Sequence, residues 1–215
     1  MTGSEFRERL LVRVARAGAT VSSPAMDALE TYFILLARWN PKVNLTALPL
    51  DPPGDETFDR LFVEPIVAAD RIQPVSGLRS PPPVWFDLGS GGGSPAIPLK
   101  ILRPQWTLTM VEAKERKAAF LREVVRAVPL LDTDVARVRF EELTGFGGRV
   151  DLLTVRAVRL DADLATTADR LLSSSGTIAL FGSAVAALSG FSVLQTVPLN
   201  PPSLLTLMSR VPRGT

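Results

Sequence analysis

The chain has 215 residues, 46 per cent of them apolar and 21 per cent charged, with a formal net charge of +2. This composition supports a buried core and excludes a disordered chain, and no apolar run reaches membrane-spanning length. Cysteine and histidine are both absent, which excludes disulfides, thiolate nucleophiles, imidazole bases and Cys or His metal sites.

Glu5, Arg7, Glu8, Arg9, Arg13 and Arg16 interrupt the N-terminal segment and argue against a signal peptide, so a soluble cytoplasmic protein is expected. Phe6, Leu10, Leu11 and Val14 recur at helical spacing. Ser22, Ser23 and Pro24 form a helix start, and Leu29, Phe33, Leu36 and Ala37 continue the stripe. This helix is expected to end near Trp39, stopped by Asn40-Pro41. Residues 49–56 read as a loop and Phe58 to Ile72 as a helix started or kinked by Pro65. A linker is expected at 75–83, which divides a helical extension, 1–75, from a second domain, 76–215.

From Val84 strands and helices alternate. Strands are predicted at 84–88, 106–111, 135–140, 151–155 and 176–181, with helices at 95–102, 114–128 and 162–172. Segments 191–197 and 204–209 form a closing antiparallel pair around Asn200-Pro201-Pro202. The alternation predicts an α/β fold with a mostly parallel sheet covered on both faces. Basic residues gather at 100–126, where seven face three acids, and at 137–159, where five face three. Such a surface suits phosphate, although arginine richness alone also produces it.

The strongest chemical signal is Asp87-Leu88-Gly89-Ser90-Gly91-Gly92-Gly93-Ser94-Pro95. A strand ends, glycines let the backbone turn and approach a ligand, and a helix opens. Glu112 ends the next strand, 23 residues after Gly89, where a carboxylate can accept both hydroxyls of a ribose. The alternative is a loop acid paired with Lys114. Loop and acid together indicate a nucleoside-containing cofactor. Gly91 to Ala96 fits the dinucleotide pattern G-x-G-x-x-A, which leaves an NAD(P)-dependent oxidoreductase open. In the frame Asp87-x-Gly89-x-Gly91-x-Gly93, the leading acid instead suits the ammonium of S-adenosylmethionine. Methyl transfer also fits the missing histidine, because a ring nitrogen with a free lone pair needs no base. Arg156 ends an apolar strand, an expensive place for a charge unless it is paired; the purely structural alternative to a functional role is an ion pair with Asp161 or Asp163.

Several segments, in order, resemble the RsmG (GidB) family of 16S rRNA guanine-N7 methyltransferases. Leu36 to Ala47 is similar to its L-x-x-W-N-x-x-x-N-L-T-A segment, and Asp87 to Pro98 to its glycine loop. Val111-Glu112-Ala113-Lys114 with Lys117, Phe120 and Leu121, Arg139 to Glu142, and Asp151 to Val158 match three further stretches. The resemblance implies a class I methyltransferase fold: a Rossmann-like, mostly parallel seven-stranded sheet with an N-terminal helical extension. It implies S-adenosyl-L-methionine as cofactor, held by Asp87, Gly89, Gly91, Gly93, Ser94, Glu112, Phe140, Glu141 and Arg156. Phe140 and Glu141 would sit by the adenine. Arg156 would be catalytic, between methyl donor and base, and Asn44 would face substrate. The implied partner is 16S rRNA or the small ribosomal subunit, acted on by a monomer without metal or membrane.

The chain departs from the family pattern at four places. Ser94 replaces a bulky residue, Ala96 a glycine, Leu61 a histidine, and Phe181 the lysine of L-K-G; the neighbouring acid survives as Glu64. An RNA-binding relative that has lost catalysis is therefore a further alternative.

Overall fold

The computed structural model describes residues 1–72, 82–184 and 187–211. The expected linker falls almost wholly outside them, as do the 75/76 division and the last four residues.

The helical segment opens with α1 (Gly3–Arg16), closed at its start by a Thr2–Glu5 capping box. Phe6, Leu10 and Val14 form its buried face, while Leu11 points outward, 48% exposed. Helix α2 (Ser23–Val43) starts on Ser22, whose hydroxyl accepts the Ala25 N–H. It does not stop at Asn40-Pro41 as expected. Pro41 lies exposed in the last turn, and the helix closes one turn later on Asn44, a left-handed cap with φ 54° whose N–H bonds the Asn40 carbonyl. Asn40 Oδ1 then accepts the N–H groups of Leu45 and Thr46 and turns the chain.

The expected helix at 58–72 is three joined pieces: α3 (Asp55–Phe58), a π-helical turn (Asp59–Val63) and α4 (Glu64–Arg71). Pro65 sits in the first turn of α4. It has no N–H for the carbonyls four and five residues earlier, those of Leu61 and Arg60. The wide turn and the proline thus leave two carbonyls for other donors.

The sheet contains β1 (Val84–Leu88), β2 (Thr107–Val111), β3 (Thr133–Ala136), β4 (Val150–Arg156), β5 (Leu172–Gly182), β6 (Phe191–Asn200) and β7 (Ser203–Arg210). Its order is β3-β2-β1-β4-β5-β7-β6. The first five strands run parallel, and β7 is antiparallel to both β5 and β6. Three helices connect strands: α5 (Ala96–Leu102), α6 (Glu115–Ala127) and α7 (Ala162–Leu171). The strand expected at 135–140 is shifted. Its last partner on β2 is Val111, opposite Ala136, so the ladder ends there and Phe140 enters a 3₁₀ turn (Phe140–Glu142).

Two apolar layers result. One joins Trp85, Leu108 and Met110 of the sheet to Ile97, Phe120 and the N-terminal helices. The other packs Phe86, Leu153 and Val155 on Leu164 and Leu171. The helical segment therefore shares its core with the sheet. Phe6 is central to that junction, with ring centroids 4.9 Å from Phe33, 5.6 Å from Phe58 and 5.3 Å from Phe62. Phe6→Ala is expected to cost about 3–5 kcal/mol. Urea unfolding should show one shifted transition; separate melting of the N-terminal helices would contradict the shared core.

Candidate active site

Parallel sheets bind ligands beyond the carboxyl ends of their strands, where the strand order reverses. Here β1 lies between β2 and β4, and the signal residues stand at those three strand ends. The glycine loop leaves β1, Glu112 leaves β2, and Arg156 ends β4. Between them opens a cavity of about 610 Å³. Gly89, Gly91, Ser94, Glu112 and Arg156 all line it.

The loop is held from several sides. Gly89 and Ser90 donate their N–H groups to the Val111 carbonyl. Glu112 Oε2 accepts the Gly91 N–H at 2.9 Å, and Oε1 accepts the Lys114 N–H at 2.8 Å. Glu112 is thus buried and tied to backbone, rather than paired with the Lys114 side chain as the alternative expected. Each carboxylate oxygen has a second lone pair available for a hydroxyl. Tyr32, absent from the expected set, donates its hydroxyl to the Gly92 carbonyl at 2.7 Å; burial pushes its pKa up. At Gly91, φ is +53° and an added Cβ would meet only the Gly89 carbonyl, at 3.7 Å. Gly93 differs: its φ is +90° and a Cβ would collide with Ile97 Cδ1. Gly91 leaves bare backbone for a ligand, and Gly93 lets the loop pack on α5.

Asp87 lies behind the loop, 2% exposed and not on the cavity wall. Its Oδ1 accepts the Thr154 hydroxyl at 2.5 Å, and Thr154 in turn accepts the Trp85 indole N–H at 2.8 Å. The Ser90 hydroxyl bonds the Asp87 carbonyl. Burial raises the Asp87 pKa to about 6, against the opposing hydrogen bonds from Thr154 and Ser90.

Arg156 is the best-held cation of the site, its side chain 12% exposed. Nη2 contacts Glu64 Oε2 at 2.6 Å; Nη1 donates to the Arg60 carbonyl at 2.5 Å and to Ser94 Oγ at 3.2 Å. Its structural partner is therefore Glu64, not Asp161 or Asp163. Asp161 instead caps α7 through the Leu164 N–H. The guanidinium also lies 4.8 Å over the Phe181 ring. Where the family pattern has a lysine, this chain supports Arg156 with an aromatic face. Burial lowers the pKa of Arg156 and raises that of Glu64, and each charge opposes the other's shift.

Both carbonyls freed by Pro65 are used. Arg60 receives Arg156, and Leu61 receives the Ser94 hydroxyl at 3.0 Å. Leu61, where the family pattern has histidine, lines the cavity.

Other expected residues do not reach the cavity. Phe140 packs partly buried against the second apolar layer, and Glu141 is exposed beside it. Neither is on the cavity wall, nor is Asn44, whose place there is taken by Leu45, Thr46 and Ala47. Trp39 is half-buried with its ring 5.9 Å from Phe120 and serves packing. Among the described residues no helix is long and apolar enough to cross a membrane, and no acidic cluster is arranged to hold a metal.

The strand order and the cleft at its reversal define the class I methyltransferase fold. A solved S-adenosylmethionine-dependent methyltransferase from Aquifex aeolicus matches 73% of this chain and 94% of its own, with TM-score 0.57 at 14% identity. A putative one from Methanococcus maripaludis matches 74% and 91%, with TM-score 0.56 at 15% identity. The rRNA small subunit methyltransferase G family, GidB, matches residues 25–187, and the chain belongs to it. The ribosomal RNA small subunit methyltransferase G of Neisseria meningitidis is 33% identical over 173 residues, 80% of this chain and 77% of that protein. Its counterpart in Paracoccus denitrificans is 38% identical over 153 residues, 70% and 72%.

The raised pKa of Asp87 fixes a sign. Between about pH 4 and 6 the folded protein binds more of this proton than the unfolded chain, so the group's contribution to stability falls as pH rises. The loss is on the order of 2–3 kcal/mol across that window. Denaturation midpoints of wild type and Asp87→Asn, compared from pH 4 to 7, should shift relative to each other in favour of the variant as pH rises. Parallel profiles would show that Asp87 titrates normally.

Proposed function

We propose that this chain transfers a methyl group from S-adenosyl-L-methionine to a guanine N7 of 16S rRNA. The observation that carries this reading is the cavity between bare glycine backbone and Glu112, in a chain of this family. The site suits the cofactor: the volume lies within the range of small-molecule sites, and Gly91 presents no side chain. Asp87 argues for the same frame only at a distance, as a buried anion behind the loop. The dinucleotide alternative places Gly93 against a pyrophosphate, yet Gly93 packs on Ile97.

When bound, the cofactor supplies a methyl on a cationic sulfur, which passes to a nitrogen lone pair with no proton transfer. The protein's work is then positioning and electrostatics. Glu112 accepts ribose hydroxyls while its backbone partners hold the carboxylate still. The Gly89–Ser94 backbone approaches the methionine end. Arg156, fixed by Glu64, Ser94 and the Arg60 carbonyl, directs the target base from the cavity wall. Phe140 and Glu141 remain in the proposal as neighbours of the adenine through the turn that carries them, and Asn44 as the cap that presents Leu45 to Ala47 to the cleft. Residues 1–75 form the extension that roofs the cleft and 76–215 the transferring domain. The protein works as a cytoplasmic monomer on the small subunit or its RNA.

Mapping N7-methylguanine in rRNA from cells with and without this protein tests the activity. Loss of one modified guanine is expected; an unchanged map overturns the proposal, and RNA binding without methyl incorporation in vitro favours the non-catalytic relative. Glu112→Ala is expected to weaken S-adenosylhomocysteine binding roughly 10- to 100-fold by calorimetry. Arg156→Ala is expected to slow transfer by roughly 10²–10³-fold, a far larger effect than its weakening of that binding. Should the buried Glu64 charge, left without its partner, destabilise this variant, Arg156→Ala/Glu64→Gln removes it. Wild-type turnover in either would refute the role of Arg156.

A further inference from the structure

A second cavity of about 440 Å³ adjoins the first. The two share Glu56, Arg60, Arg156 and Ala157, so Arg156 stands in the wall between them. The second contains neither the glycine loop nor Glu112. Its walls come from α3 through α4, the end of β5 at Phe181, and the turn between β6 and β7 at Asn200 to Ser203.

Its chemistry is unlike a phosphate site. Glu56, Asp59 and Glu64 line it together, against Arg60 and Arg156. Each of the three carboxylates is paired, Glu56 with Arg60, Asp59 with Arg13 and Glu64 with Arg156, so the lining offers a phosphodiester no spare positive charge and suits a neutral group rich in N–H donors. A guanine base is such a group, with N1–H and the 2-amino group on one edge beside the O6 acceptor. Within the cavity, Arg156 Nη2 donates one N–H to Glu64 Oε2 at 2.6 Å, which leaves its second N–H beside the remaining lone pairs of the Glu64 carboxylate, a donor next to an acceptor. That order complements O6 beside N1–H. Adenine presents the reverse, an amino group beside a lone pair, and would meet donor with donor and acceptor with acceptor.

The geometry points to this second cavity as the subsite for the target base, with Glu64 reading guanine N1–H and Arg156 reading O6. The assignment rests on the proposed methyl transfer and adds to it where the base sits and what selects it. With O6 on Arg156, the adjacent N7 edge lies toward the shared wall and the first cavity. Glu64 is well placed to act as an acceptor, because its side chain is 4% exposed and Arg156 keeps a counter-charge beside it. The two partners are separated by 92 residues in sequence and come from different layers of the fold. The pair therefore forms only when the helical segment is seated on the sheet.

The test uses 16S rRNA ligated from synthetic fragments, with guanine, inosine or 1-methylguanine at the target, assembled into small subunits. Inosine keeps O6 and N1–H, whereas 1-methylguanine keeps O6 and N7 but has no N1–H. Wild-type kcat/KM should be similar for guanine and inosine and lower for 1-methylguanine by roughly 10- to 100-fold. Glu64→Gln should lower kcat/KM on guanine and inosine by a comparable factor, with affinity for S-adenosylhomocysteine within about twofold of wild type. On 1-methylguanine the variant should lose clearly less than on guanine or inosine, because the N1–H partner of Glu64 is already gone and only its bracing of Arg156 remains to be weakened.

A Glu64 that only braced Arg156 would impose the same penalty on all three bases and overturn the assignment. Equal wild-type rates on guanine and 1-methylguanine would also overturn it, whether or not the variant folds. Failure of wild type to methylate any of the three would instead overturn the methyltransferase reading on which the assignment rests.

Discussion

A guanidinium at the end of a buried strand must be paired, or the fold bears the cost of an isolated charge. Arg156 meets that requirement with partners from three separate parts of the chain. Glu64 and the Arg60 carbonyl come from the helical segment, Ser94 from the glycine loop, and Phe181 from the neighbouring strand. Satisfying one charge thus sets the position of the helices over the cleft. Removing any partner changes both the electrostatics and the geometry of the site.

The route to that arrangement runs through a local irregularity. Pro65 interrupts a hydrogen-bond ladder, and the π turn before it widens the helix. The carbonyls left over are not merely tolerated: Arg156 and Ser94 use them. A regular α-helix across 59–65 with an N–H at position 65 would keep these acceptors for itself and offer nothing to either donor. Behind the loop, the chain from Trp85 through Thr154 to Asp87 performs a similar service for β1 and β4. Residues 85, 87 and 154 share one face of the sheet, so each polar group buried there finds the next.

Local signals were legible in the sequence where the physics is local. The run from Val84 to Pro95 marks a strand, a glycine turn and a helix, and all three are present. Glu112 one strand later, and the closing pair at the chain's end, were equally readable from pattern. The stop at Asn40-Pro41 was misplaced because a proline in an exposed last turn loses little, while the left-handed cap at Asn44 depends on backbone geometry that composition does not encode. The strand toward Phe140 was overextended because its end is set by where β2 stops. Glu64 escaped notice as the partner of Arg156 because nothing local joins residues 64 and 156. Tyr32 escaped for the same reason, being 60 residues from the glycine whose carbonyl it bonds.

The continuous apolar layer beneath the helices limits how far the chain can be shortened. Ile97 and Phe120 lie under side chains that begin at residue 6, and no second surface waits beneath to replace that covering. A chain trimmed to the sheet and its connecting helices would need a new polar exterior for the face that now lies under the N-terminal helices. The N-terminal helices therefore cannot be stripped away without laying bare the apolar side chains they cover.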